Sequence, residues 1–349
     1  LSANPAPGYL ELTPACVLDA LDALGLRPDG RLLQLNSYEN RVHQVMLEDG
    51  RAVVTKFYRP GRWSDAQILE EHAFALELAE AEVPVAAPML LQPGAQPGAQ
   101  PALALLGEPP TLAHWLAEGA LHRFSVTPRH AGREPELERA DTLRRLGGFI
   151  GRLHAVGRRR AFRHRCSLDL ARDGAAAIDA VLQLDRLTPQ EAAPWLDAAR
   201  RAHEALAAAF AQHGPLQRLR LHGDCHLGNI LWRDAEAQGG PSLVDLDDAC
   251  MGPAVQDLWM LVSGDAQTMQ AQLAQLLEGY RAWCDFDPRE QRLIEPLRAL
   301  RMLRHSAWLA LRHDDPAFPA AFPFFGTAAY WSQQTAQLRE QIELIAQAA

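Results

Sequence analysis

Cysteine is scarce in this sequence: the five residues Cys16, Cys166, Cys225, Cys250 and Cys284 are odd in number, widely spaced and without a C-x-x-C pair. That argues against a disulfide framework or a cysteine zinc site, and it makes a reducing compartment, the cytoplasm, the natural expectation. Basic charge is also short. There are 34 Lys and Arg against 43 Asp and Glu, a net charge of −9, which argues against a general electrostatic grip on nucleic acid or anionic membrane. No apolar run reaches the length of a membrane-spanning helix, and the stretch from Leu1 to Leu12 has neither a basic segment nor a long apolar one; no anchor or secretory leader is expected. Missing too are a Walker A motif and a G-x-G-x-x-G loop,.

What is present suggests two cooperating lobes, since 349 residues exceed one small domain,. Behind Thr13-Pro14, the residues Val17, Leu18, Leu21 and Leu24 recur at helical spacing,. Residues 31–35, 41–48 and 51–58 read as antiparallel strands, the last two joined by an Asp49-Gly50 turn,. Residues 64–81 read as a helix with Ser64 as its cap,. A Gln-Pro-Gly-Ala repeat at 92–101 belongs on a surface loop as an insertion without chemistry, and the Pro/Gly-rich stretch of about 92–120 is read as an insertion in the front lobe,. Residues 124–128 close the sheet. Beyond them the pattern is helical over 140–156, 175–184, 189–213, 256–262, 268–283, 289–311 and 328–348, interrupted by short strands at 230–232 and 242–244. The expected fold class is α+β, with a small antiparallel sheet lobe over residues 1–127 and a larger, mainly helical lobe over residues 128–349.

The densest polar cluster lies in Leu221-His222-Gly223-Asp224-Cys225-His226-Leu227-Gly228-Asn229. Asp224 precedes Asn229 by five residues, and Asp245 follows sixteen later in Val244-Asp245-Leu246-Asp247-Asp248. Phosphoryl transfer needs a carboxylate to accept the nucleophile's proton and oxygen ligands for Mg²⁺ that bridges the phosphates of ATP. Asp224, Asn229 and Asp245 supply such a set. Asp247 and Asp248 read either as further metal-site residues or as a solvated acidic turn. Upstream, Lys56 in Val53-Val54-Thr55-Lys56-Phe57 matches the strand lysine that binds nucleotide phosphates, and Glu71, chosen over Glu70, is expected to pair with it. In place of glycines, Asn36-Ser37-Tyr38-Glu39-Asn40 would offer Ser37, Asn40 and backbone N–H groups to phosphates. His154, in a glycine-rich helix, is read as packing a helix end against the catalytic loop.

Together these motifs resemble those of a two-lobed protein-kinase-like fold of the aminoglycoside phosphotransferase type, and that resemblance implies the same fold here. His222-Gly223-Asp224, with Gly where most protein kinases carry Arg, resembles the aminoglycoside phosphotransferase and choline kinase superfamily. Leu35-Asn36-Ser37-Tyr38-Glu39-Asn40-Arg41-Val42, Lys56-Phe57-Tyr58-Arg59-Pro60, Arg62-Trp63 and Gly252-Pro253-Ala254-Val255-Gln256-Asp257-Leu258-Trp259 narrow it, for they resemble the bacterial stress response kinases of the RdoA type. That resemblance implies a cytoplasmic, monomeric serine/threonine protein kinase that also phosphorylates itself and serves stress survival. It further implies Asp224 as proton acceptor, Asn229 and Asp245 as Mg²⁺ ligands, Ser37 at the ATP phosphates, and His222 and Asp257 as structural support. The acceptor stays open at this level: the same loop serves proteins and small alcohols such as choline, homoserine or aminoglycosides.

Overall fold

The computed structural model describes residues 12–94, 103–117, 119–184, 188–234 and 239–348. Helix α1 (Pro14–Ala23) is capped by the Thr13 hydroxyl, which accepts from the Cys16 N–H,. There follow β1 (Pro28–Gln34), β2 (Arg41–Leu47), β3 (Ala52–Phe57), α2 (Asp65–Glu80), β4 (Leu103–Leu106), β5 (Leu112–Ala117) and β6 (Ala120–Pro128). The strands form one antiparallel sheet in the order β1-β2-β3-β6-β5-β4. Two of them come from the stretch expected to be an insertion. Leu103-Ala104-Leu105-Leu106 has no alternation to betray a strand, and its residues are only partly covered. The repeat from residue 95 onward lies outside the described residues.

Period-2 alternation places the site lysine. Val53, Thr55 and Phe57 of β3 are buried, and Val53 and Phe57 pack into a core with Val45, Phe124, Val126 and the apolar side of α1. Lys56 therefore emerges on the opposite face. Its strand is paired on both sides, with Val42↔Lys56 toward β2 and Lys56↔Ser125 toward β6. Helix α2 begins with a reciprocal cap between Ser64 and Gln67,.

The chain continues through α3 (Ala140–Gly157), α4 (Leu170–Leu182), α5 (Pro189–His213), β7 (Leu219–Leu221), β8 (Ile230–Arg233), β9 (Gly240–Leu243), β10 (Cys250–Gly252), α6 (Val255–Trp259), α7 (Ala266–Tyr280), α8 (Ile294–Arg312), α9 (Phe318–Ala321) and α10 (Ala328–Ala348). It divides into two compact units. One unit comprises residues 1–166, 220–250 and 260–284, and so holds the sheet, α2, α3, α7 and the β8–β9 hairpin. Here α3 and α7 cross at glycines: a Cβ on Gly147 would strike the Leu276 carbonyl, and one on Gly279 the Arg144 carbonyl,. His154 is fully buried on α3, with Nδ1 2.9 Å from the Tyr280 hydroxyl of α7. It is Gly157, at the end of α3, that lies against Arg220 beside the catalytic loop; the packing read for His154 belongs to this neighbour, because the helix presents His154 to α7.

The other unit comprises residues 167–219, 251–259 and 285–349. It packs α4, α5, α8 and α10 together, with the buried Trp195 and Trp331 edge to face at 5.6 Å,. The whole is a sheet lobe and a helical lobe, as the motifs imply. Among the described residues no helix is long and apolar enough to cross a membrane.

Candidate active site

Lys56 is the only lysine in the chain; every other member of the 34 Lys and Arg is arginine. Its Nζ lies 2.8 Å from Asp245 Oδ1 and 3.3 Å from Asp247 Oδ1, and 5.4 Å from the centre of the Tyr58 ring. Burial works against the ammonium, but the two carboxylates outweigh it and hold the lysine pKa well above its ordinary value,. A chain that uses arginine at every other basic position keeps lysine where a compact point charge is needed.

Asp224 and Asn229 sit on the segment between β7 and β8, closed by a 3-10 turn at Leu227–Asn229. The loop is pinned through its backbone. His222 is fully buried: its Nδ1 accepts from the Asp224 N–H at 3.3 Å, so Nε2 carries the proton and donates to the Val244 carbonyl at 3.0 Å,. The Asn229 side chain donates to the Asp224 carbonyl at 3.0 Å, and the Val244 N–H donates to the Asn229 carbonyl at 3.0 Å. These bonds stitch the loop of Asp224 and Asn229 to the residue before Asp245. Gly223 makes the approach possible: at φ +88° it lies where a Cβ would strike the Asp248 carbonyl,. Asp245 itself takes φ +58° and ψ +68°, a left-handed conformation that costs an ordinary residue roughly 1–2 kcal/mol. Its bond to Lys56 helps to hold it there.

Asp247, only 2% exposed, is the electrostatic hub, and the solvated-turn alternative does not apply to it. Oδ2 accepts from Arg62 Nη1 at 2.5 Å and from Asn40 Nδ2 at 3.1 Å. Burial raises its pKa, but Lys56, Arg62, Arg165 and Asn40 prevail and keep it ionised far into acid,. Asn40 is used at both ends, since its Oδ1 accepts from the Arg59 N–H at 3.1 Å. Ser37 lies in the β1–β2 connection, where its hydroxyl accepts from the Asn40 N–H at 3.4 Å.

The two glutamates of α2 diverge. Glu70 accepts three backbone N–H groups, from Arg163, His164 and Arg165, and is a structural clamp. Glu71 is buried near the lysine, but the expected ion pair with Lys56 is not formed, because Asp245 and Asp247 already hold the ammonium. Glu71 Oε2 has no hydrogen-bond partner among the described residues. Burial lifts its pKa from 4.5 to about 7 against the pull of Lys56 and Arg165. Between those values the folded state holds a proton that the unfolded state has released, so stability is fully present below about pH 4.5 and is lost as pH rises through about 7,. The loss is on the order of 3 kcal/mol. Thermal unfolding of Glu71→Gln against the parent, from about pH 5 to about pH 8, is expected to show a flatter profile for the variant. Parallel profiles would contradict a buried, proton-binding Glu71.

Two arginines complete the site: Arg62, which lies within a sequence motif, and Arg165, which lies outside any motif. Arg165, 5% exposed, donates to the carbonyls of Asp247, Ala249 (2.8 Å) and Gln67 (3.4 Å), with its guanidinium 4.3 Å from the Trp63 ring centre. It fixes the acidic turn from beneath. Nothing in the arginine-rich run 158–165 distinguishes it in sequence. Asp257 is fully buried in α6, in the other compact unit.

Carboxylate and amide oxygens of Asp224, Asn229, Asp245 and Asp247 are a hard donor set suited to a cation such as Mg²⁺. One detail fits one: the Asn229 amide spends its nitrogen on a carbonyl, leaving its oxygen to face a cation.

A strand lysine drawn onto an acidic turn, beside a backbone-pinned loop ending in Asn, defines a kinase-like phosphotransferase. Residues 31–294 match the model of the phosphotransferase enzyme family, and the chain belongs to that family. It is 43% identical over 340 residues to Stress response kinase A of Salmonella choleraesuis, covering 97% of this chain and 94% of the relative. Serine/threonine protein kinase RdoA of Salmonella typhimurium is 42% identical over 340 residues, with the same shares covered. Among solved structures, amicoumacin kinase hAmiN in complex with AMP-PNP, Ca²⁺ and Ami has a TM-score of 0.69 at 18% identity, covering 96% of this chain and 94% of its own, a likeness of fold.

Proposed function

We propose that the protein is an ATP- and Mg²⁺-dependent serine/threonine protein kinase that phosphorylates proteins, itself included, in a bacterial stress response in the cytoplasm. The observation that carries this reading is the Lys56 ammonium held 2.8 Å from Asp245, on a turn bonded to the loop of Asp224 and Asn229. Asp224 accepts the proton of the attacking hydroxyl. The hydroxyl oxygen bonds to the γ-phosphorus, the bond to the β-phosphate oxygen breaks, and ADP departs. Asn229 and Asp245 would hold Mg²⁺, which when bound neutralises charge on the phosphates. Lys56 and Ser37 bind the phosphates, and Asn40 with Arg62 keeps Asp247 in place beside the lysine. Glu71 tunes the charge around Lys56.

The protein acceptor is supported by the name of the relative that is 42% identical over 97% of this chain. It is tested by incubating the protein with γ-labelled ATP and Mg²⁺, offering a generic protein substrate in one arm and choline, homoserine and aminoglycosides in another. Label in Ser or Thr of the generic substrate and of the chain itself is expected, and its loss on chelation of the metal. Label confined to the small alcohols would overturn the acceptor and leave the transfer chemistry standing.

A further inference from the structure

A polar cavity of about 440 Å³ opens between the start of α3 and the β8–β9 hairpin. Lys56, Asp224, Asn229, Asp245 and Asp247 do not line it. Four guanidiniums do: those of Arg133, Arg139, Arg145 and Arg233. Three carboxylates share the lining, but two of them are taken up by Arg133, which pairs with Glu136 at 2.6 Å and with Asp234 at 2.9 Å. Only Asp141 remains to oppose an anion. Arg145 is fixed in place, its guanidinium 4.8 Å from the Trp232 ring centre and Nη2 donating to the Gly239 carbonyl at 2.5 Å. Arg139 has no ion-pair partner among the described residues.

The helix end adds donors. α3 is 18 residues long, and its N-cap residue, Arg139, makes no side-chain cap bond that would occupy its first-turn N–H groups,. Thr142, in that first turn, lines the cavity and is 6% exposed, yet its hydroxyl has no hydrogen-bond partner among the described residues. A hydroxyl on a largely buried residue that faces a cavity is available to an acceptor entering it.

We infer that this cavity binds a phosphate monoester, its dianion held by Arg139, the first-turn N–H groups of α3 and the Thr142 hydroxyl. A single carboxylate would gain little beside Asp141, whereas a dianion with three acceptor oxygens matches several donors at once. The volume exceeds what a bare phosphate fills and leaves room for the group that carries it. A phosphorylated side chain of a protein and a small phosphorylated metabolite share this chemistry.

Isothermal titration with glycerol phosphate and with a phosphoserine peptide tests the site and separates its sources. Saturable binding is expected, with the tighter probe naming the source. Arg139→Ala and Thr142→Val should each weaken it about tenfold, while Thr142→Ser, which keeps the hydroxyl, should bind like the parent. Circular dichroism melts establish that each variant is folded. Lys56→Met controls for phosphate entering the nucleotide site and should leave binding unchanged. Binding lost with Lys56 but kept in Arg139→Ala and Thr142→Val, or no saturation with either probe, overturns the proposal. Since titration reads binding alone, this outcome is independent of whether the chain transfers phosphate.

Discussion

An Asp224→Asn variant is expected to bind nucleotide as the parent does and to transfer phosphate about 10²–10⁴ times more slowly. The geometry separates the two properties. The backbone of Asp224 is held on both sides: the N–H by His222 and the carbonyl by Asn229. Asparagine preserves that frame and the side chain's shape, and removes only the ability to take a proton. A nearby rival is His226, whose Nε2 lies 3.4 Å from Asp224 Oδ2. A His226→Gln control is therefore expected to keep most of the activity. Single-turnover rates together with the affinity for a non-hydrolysable ATP analogue make the measurement. An unchanged rate in Asp224→Asn, or a fall explained by lost nucleotide binding, would remove Asp224 from the role of proton acceptor.

Much of this site is legible in sequence because its parts are local. Asp224 and Asn229 share one loop, Asp245 follows one hairpin later, and Ser64 with Gln67 forms a cap within a single turn. Lys56 is legible through strand periodicity and, more sharply, through its solitude in composition. The arrangement around Asp247 is not. Arg165 reaches the carbonyls of Asp247 and Ala249 across more than eighty intervening residues, and no spacing rule connects a surface-like arginine run to an acidic turn. Nor does spacing decide which carboxylates hold Lys56. Glu71 has the position of a lysine partner on α2, but the choice is made by distance and desolvation: two aspartates stand within 3.3 Å of the ammonium, while burial favours the protonated form of Glu71. The edge strands fail for a different reason. With residues partly covered and an alanine- and leucine-rich composition, β4 lacks the alternation that a half-buried strand would carry,.

Lys56→Arg, conservative in charge, is expected to be disabling, lowering transfer by about 10²–10³-fold and approaching the Lys56→Met variant. The ammonium is a point donor with two carboxylate oxygens at 2.8 and 3.3 Å and an aromatic face beside it. A guanidinium is wider, planar and longer, so it cannot place one nitrogen there without driving its others into Asp247, Tyr58 or the strand. Asp247 moreover already receives a guanidinium, that of Arg62, on its other oxygen. A second fork would crowd the turn that also carries Asp245. Because the chain has no other lysine, the same position offers an independent readout: an amine-acylating ATP analogue should label the parent at residue 56, compete with ATP for that residue, and leave residue 56 unlabelled in Lys56→Arg. A Lys56→Arg variant within about threefold of parental activity would mean that charge alone is needed at this position, and the tight lysine-centred geometry would no longer explain why the chain keeps its single lysine there.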